Sequence, residues 1–140
     1  MSETEREFIG DLIPFLEDDR YIRIHGRPLL LVYRPELLPD SKTVTQQWRE
    51  ETLKRQLGDL FLVRCEHGFE TAGSRPEDTG FNASYEFPPH RSIVHREPDG
   101  FFLQSAADPT LNIWDYPSVA LESMYRSQPD YKLFRGVMLH

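Results

Sequence analysis

The sequence predicts an α/β fold in which about four parallel strands are joined by crossover helices, and three observations lead there. Strand-like and helix-like segments alternate along the 140 residues. Two strand-like segments, Leu29–Tyr33 and Leu60–Val63, are unbroken apolar runs, the pattern of strands covered on both faces. Turn residues, including most of the eleven prolines, separate these segments. Alternation of this kind gives a parallel sheet, either open and doubly wound or part of a (β/α)8 barrel. A full barrel takes roughly 250 residues, so a chain of this length supplies about half of one.

The elements follow in order. From Glu3 to Glu17, the residues Phe8, Ile9, Leu12, Ile13 and Leu16 recur every three or four positions and make one helical stripe. Ser2 and Glu5 have capping-box spacing, and Pro14 either kinks this helix or opens a second turn. Tyr21, Ile22 and Ile24 lead to a turn at His25-Gly26, and this short segment either pairs with the Leu29–Tyr33 strand or simply leads into it.

Asp40 or Ser41 caps the next helix, with Val44, Trp48, Leu53 and Leu57 inward and Gly58 at its C′ position. After Leu60–Val63 a loop containing Gly and Pro reaches the weaker strand FNASYEF. Residues 90–109 read as loop, with Phe101, Phe102 and Leu103 apolar enough for partial burial. Asp115 caps a helix with Pro117 in its first turn and Val119, Ala120, Ser123 and Met124 inward. Lys132–Leu139 is the fourth strand.

Composition narrows the function. Hydrophobic residues at 39% and charged residues at 28% are ordinary for one globular domain, here residues 1–140. A net charge of -7 argues against nucleic acid or an anionic membrane surface as partner. No apolar run approaches the roughly 20 residues of a membrane span. The acidic start lacks a signal peptide's pattern, and the single Cys65 fits a reducing compartment, so the expected location is cytoplasmic.

In both candidate architectures chemistry lies beyond the carboxyl ends of the strands. Those ends carry Tyr33-Arg34, then Arg64-Cys65-Glu66-His67, then Glu86 with His90, and finally His140. Such groups bond a polyhydroxylated ligand or move protons. Each also has a plain alternative. Arg34 is placed to pair with Glu36, Glu66-His67 could be a solvated loop start, and His90 a loop histidine. Strand alternation puts Ser84 and Glu86 on one face and Tyr85 and Phe87 on the other. Aromatics packed on helices would then aim Glu86 into a barrel mouth.

No spacing supports a metal site, no oxyanion feature supports a Cys65–His67 nucleophile, and no glycine-rich phosphate loop occurs, so no metal or cofactor is expected. The last absence also weakens the open dinucleotide-binding sheet.

Four segments carry a family resemblance: YIRIHGRPLLLVYRPELLPD, WREETLKRQLGDLFLV, GFNASYEFPPH and YKLFRGVMLH. In this order they resemble the WbsX-like glycosyltransferases, bacterial proteins associated with lipopolysaccharide O-antigen and other surface polysaccharide synthesis. Their domain is similar to the glycoside hydrolase family 99 barrel. The resemblance implies a partial (β/α)8 TIM-like barrel, with these strands corresponding to about the fourth to the seventh. It also implies that the carboxylate pair expected for glycosyl chemistry lies outside this chain, so no catalytic residue is assigned. Tyr33, Arg34, Glu66, His67, Glu86 and His90 are then the expected sugar contacts. A half barrel exposes strand edges, so a second copy or a complementary half-barrel is an expected partner. The alternatives are a non-catalytic assembly module and a nonfunctional gene remnant.

Overall fold

The computed structural model describes residues 3–66, 74–88, 102–104, 112–114, 116–125 and 127–137. Helix α1 spans Glu3–Leu16 and runs on through Pro14, which sits in its last turn. Its stripe is confirmed by burial of Ile9, Ile13 and Leu16, while half-exposed Phe8 rests on Trp48 with ring centroids 5.1 Å apart. The proposed Ser2 cap lies outside the described residues.

Strands β1 (Arg23–Ile24) and β2 (Arg27–Val32) form an antiparallel ribbon, with Arg23 opposite Pro28 and Ile24 opposite Arg27. Their two-residue turn uses positive φ at both His25 and Gly26, the backbone hand that matches strand twist.

Helix α2 spans Ser41–Lys54, and Asp40 caps it by accepting from the Thr43 amide at 3.2 Å and hydroxyl at 2.7 Å. Its buried side chains are Val44, Thr45, Trp48 and Thr52, whereas Leu53 is exposed. The four-residue step from Val44 through Trp48 reaches position 52, and one further residue turns about 100° away from the core. The C-terminus also departs from expectation. Leu57 N–H bonds to the Thr52 carbonyl and Gln56 N–H to the Leu53 carbonyl, both at 3.0 Å, which is a Schellman motif. Its left-handed position is Gln56, at φ 61°, and Gly58 makes a second left-handed turn beyond it.

The chain then enters β3 (Phe61–Glu66), where every residue is buried. A 3₁₀ turn at Pro76–Thr79 and the left-handed Gly80 lead to β4 (Ala83–Glu86). Strands β5 (Phe102–Gln104) and β6 (Asn112–Trp114) pair antiparallel as a separate two-stranded sheet, with β5 inside the stretch the sequence suggested was loop. Segments of three residues, here FLQ and NIW, become strands only when a partner completes the ladder. Helix α3 covers Tyr116–Tyr125, and Met124, expected inward, is exposed together with Leu121 and Tyr125. The fourth strand is short: β7 is only Leu133–Phe134.

The main sheet has the order β1-β2-β3-β4-β7, with β2, β3, β4 and β7 parallel neighbours in chain order and β1 antiparallel. The α/β class and four parallel strands therefore hold. The sheet is mixed, and the described residues close no barrel. Helical crossing at every step is also not seen: α2 lies between β2 and β3, but only the 3₁₀ turn is described between β3 and β4.

Two apolar clusters lie on opposite faces of this sheet. Ile9, Leu16, Val44 and Trp48 from the helices bury Leu30, Leu60, Leu62 and Phe81. On the far face Phe61, Val63 and Ala83 pack with Ile24, Leu29 and Tyr85. Arg27 and Lys132 approach the Phe61 ring at 4.8 and 5.4 Å from its centroid, so cations border the lower part of the far face.

Gly80 tests how tightly this arrangement is fixed. A Cβ there would come within 2.1 Å of Thr45 Oγ1 and 3.2 Å of Lys42 Cα, at a φ of +86°. Gly80→Ala is expected to lower stability by about 2–4 kcal/mol in urea unfolding. Gln56→Gly, which relieves a strained left-handed residue in an exposed cap, is expected to raise it by about 0.5–1 kcal/mol.

Candidate functional site

The carboxyl ends of β2, β3 and β4 lie side by side because the parallel register aligns them. Val32 is level with Arg64 and Arg64 with Ser84, Cys65 is level with Tyr85, and Glu66 with Glu86. Alternation then sorts the side chains. Leu30 and Leu62 face the helices, so Arg64, Glu66, Ser84 and Glu86 continue on that side. Tyr85 packs with Phe61, Val63 and Ala83, which places Cys65, Tyr85 and Phe87 on the far face. The aromatics therefore avoid the helix layer. The expected orientation of Glu86, with aromatics against helices, is reversed, because Leu62 and Phe81 already fill the layer below α2.

On the helix side, the buried Arg64 guanidinium donates to the hydroxyls of Ser84 (3.2 Å), Ser74 (3.1 Å) and Thr79 (3.1 Å) and to the Ser74 carbonyl. These bonds fold the 3₁₀ turn against the two strand ends. Glu66, 1% exposed, accepts from the Tyr131 hydroxyl at 2.7 Å. Glu86, with its side chain 7% exposed, accepts from the Gly136 amide at 3.1 Å and from Arg135 at 3.3 Å. Arg75 pairs with Asp130, and Ser84 N–H bonds to the Lys132 carbonyl at 2.9 Å. Residues 130–136 are thus clasped along the ends of β3 and β4. Gly136 is required there, since a Cβ would lie 2.4 Å from Pro88 Cδ and 2.7 Å from the Glu86 carbonyl oxygen.

On the far face, Tyr33 follows β2 and meets Phe87 edge to face, with centroids 5.3 Å apart and planes at 66°. These two rings are 48% and 43% exposed. Between their strands lies Cys65, which is fully buried. Its packing role agrees with the sequence reading. Burial raises the Tyr85 hydroxyl well above its usual range, and its hydrogen bond with Cys65 adds to the rise.

Of the residues singled out from sequence, Tyr33, Arg34, Glu66 and Glu86 come together at one end of the sheet. Arg34 pairs with Glu36, as its plain alternative had it. His67, His90 and His140 lie outside the described residues. Sequence reasoning missed Tyr131 and ran the fourth strand from Lys132 to Leu139, through Arg135, whereas β7 ends before Arg135 and brings it to the same end as Glu86. It also undervalued Tyr85 and Phe87. Their signal was present: two aromatics two residues apart, immediately before a double proline. Among the described residues no group of three or more acidic, histidine or cysteine side chains could hold a metal, and no helix is long and apolar enough to cross a membrane.

A mixed sheet whose four parallel strands gather polar and aromatic groups at their carboxyl ends defines an α/β domain. The family described as "Glycosyltransferase WbsX" matches over residues 1–140, and the chain belongs to that family. Two curated relatives, each described as the uncharacterized protein WxcX and found in two strains of Xanthomonas campestris pv. campestris, are 32% identical over 138 residues. The match covers 97% of this chain and 19% of each relative, so the chain spans about a fifth of their length. No solved structure matches.

The raised Tyr85 hydroxyl carries a pH signature. An unfolded tyrosine ionises near pH 10 (roughly), before the folded one, so the folded state binds more protons above that point. Stability is complete below about pH 10 and falls as pH rises toward the folded value. Tyr85→Phe is expected to flatten this alkaline limb in urea unfolding followed across that range. Tyr21, also raised by burial, retains its own share.

Proposed function

We propose that this chain is the sugar-binding arc of a (β/α)8 glycosyltransferase barrel that acts in lipopolysaccharide O-antigen or related surface polysaccharide synthesis. The observation that carries the reading is the sheet itself. Parallel strands in chain order with aligned carboxyl ends support a barrel segment, in a chain whose family is named for glycosyl transfer. Tyr33, Arg34, Glu66 and Glu86 at the rim, with His67 and His90 singled out from the sequence, supply its sugar contacts. Both glutamates already accept bonds from Tyr131, Arg135 and Gly136, so they also hold the rim together.

Glycosyl transfer commonly needs two carboxyl groups held in contrasting environments across the scissile bond. Glu66 and Glu86 are cross-strand neighbours on the helix side, an arrangement that suits holding β7 better than straddling a sugar. The reacting pair is therefore assigned to the rest of a longer barrel, in line with the chain's one-fifth share of its relatives. The residues in hand bind and orient a sugar, and the barrel's remaining strands or a complementary half complete the site.

The test is calorimetric titration of the chain with nucleotide-sugars and neutral oligosaccharides, alongside a turnover assay. Saturable sugar binding without turnover is the expected result. Turnover by this chain alone would overturn the placement of the carboxylate pair elsewhere. Absence of binding to every sugar would overturn the carbohydrate reading itself.

A further inference from the structure

We infer that Tyr33 and Phe87 form a stacking subsite for the apolar face of a pyranose ring, with the Tyr85 row as its floor. The inference rests on the carbohydrate reading above and deepens it, since it moves ligand contact from the rim carboxylates to the aromatic far face.

The register places the elements of this subsite. Cys65 is level with Tyr85, and Tyr33 follows Val32, which is level with Arg64. Tyr33, Cys65 and Tyr85 therefore form one row across β2, β3 and β4. Phe87 stands one step nearer the carboxyl end and reaches over β3 to Tyr33. The edge-to-face contact, with the planes at 66°, sets the two rings as the inclined walls of a shallow V. The buried Cys65 thiol and its Tyr85 hydrogen-bond partner close the bottom.

Core aromatics are normally buried; these two each retain nearly half of their surface in the open. Leu31 and Phe134 are also exposed on the far face, and among the described residues Phe134 lies against the Lys132 ammonium, 5.7 Å from its ring centroid, rather than against a second ring. A pyranose presents axial C–H groups on one face and hydroxyls around its edge. The C–H face suits a π-surface, whereas the hydroxyl edge suits the Tyr33 phenol and nearby polar rim groups. The rigidity of the pair helps. Each ring is already held by the other, so little side-chain entropy is lost on binding.

The test uses the full chain and three probes, the methyl pyranosides of glucose, galactose and mannose, observed by saturation-transfer-difference NMR. Strongest saturation at the axial ring protons of at least one probe is expected. Tyr33→Ala and Phe87→Ala are each expected to weaken that binding about tenfold or more, a typical consequence of removing a stacking ring. Tyr33→Phe retains the ring and most of the effect. Phe87→Leu retains apolar bulk but loses the π-face, and is expected to behave as Phe87→Ala does. Leu31→Ala, on the same face but away from the pair, leaves binding unchanged. Binding that survives both ring deletions overturns the stacking subsite while leaving the carbohydrate reading intact. No binding of any sugar by the unaltered chain overturns both.

Discussion

The guanidinium of Arg49 fixes the geometry on which the remainder of the sheet depends. From the middle of α2 it donates to Asp59 Oδ1 at 2.9 Å, to the Leu60 carbonyl, and to the Gly80 carbonyl and Asn82 Oδ1, both at 2.9 Å. One side chain thus joins the helix to the starts of both β3 and β4. Asn82 extends the joint: its Oδ1 also accepts from the Leu62 amide, and its own amide donates to the Leu62 carbonyl at 2.8 Å. Hydrogen bonds to a charged group contribute about 1.5–3 kcal/mol each, so this joint outweighs any exposed ion pair on the surface.

Register follows from that joint. With Leu62 tied to Asn82, Val63 must lie level with Ala83, and Glu66 level with Glu86 four strand positions later. A slip of β3 by one residue would exchange its two faces, placing Arg64 or Glu66, depending on direction, where Cys65 now stands. The polar set would then meet the far face, and the far-face set would collide with the layer beneath α2. Gly80 is the companion constraint, because only a residue without a side chain lets the chain pass Thr45 closely enough for its carbonyl to reach Arg49.

At the opposite end of the strands, the rim is held by an equally local device. Tyr131, Arg135 and Gly136 use the carboxylates of Glu66 and Glu86 as anchors. A β7 of only two residues would be a poor strand without them, since two ladder positions cannot offset the entropy of ordering the segment. The same carboxylates therefore have a structural use beyond both sequence readings, ligand contact and, for Glu66, a solvated loop start.

Much of the secondary structure was legible because it depends on local chemistry. The α1 stripe, the Asp40 cap and the apolar runs of β2 and β3 all state themselves within a few residues. What could not be read depends on partners distant in the chain. The β5–β6 ladder, the outward turn of Met124 and the helix-side direction of Glu86 each follow from what packs opposite. Alternation separated Ser84 and Glu86 from Tyr85 and Phe87, but two faces are equivalent until a helix covers one.

By itself, then, the sequence determined the α/β class, the order of the strands, the gathering of Tyr33, Arg34, Glu66 and Glu86 at their carboxyl ends, and the resemblance to glycosyltransferases. Periodicity and strand polarity are properties of the chain, which is why they survive without coordinates. Tertiary structure alone decided which groups share a face. Register is set by the contact of Arg49 and Asn82 with strands up to 33 residues away, and no local pattern encodes it.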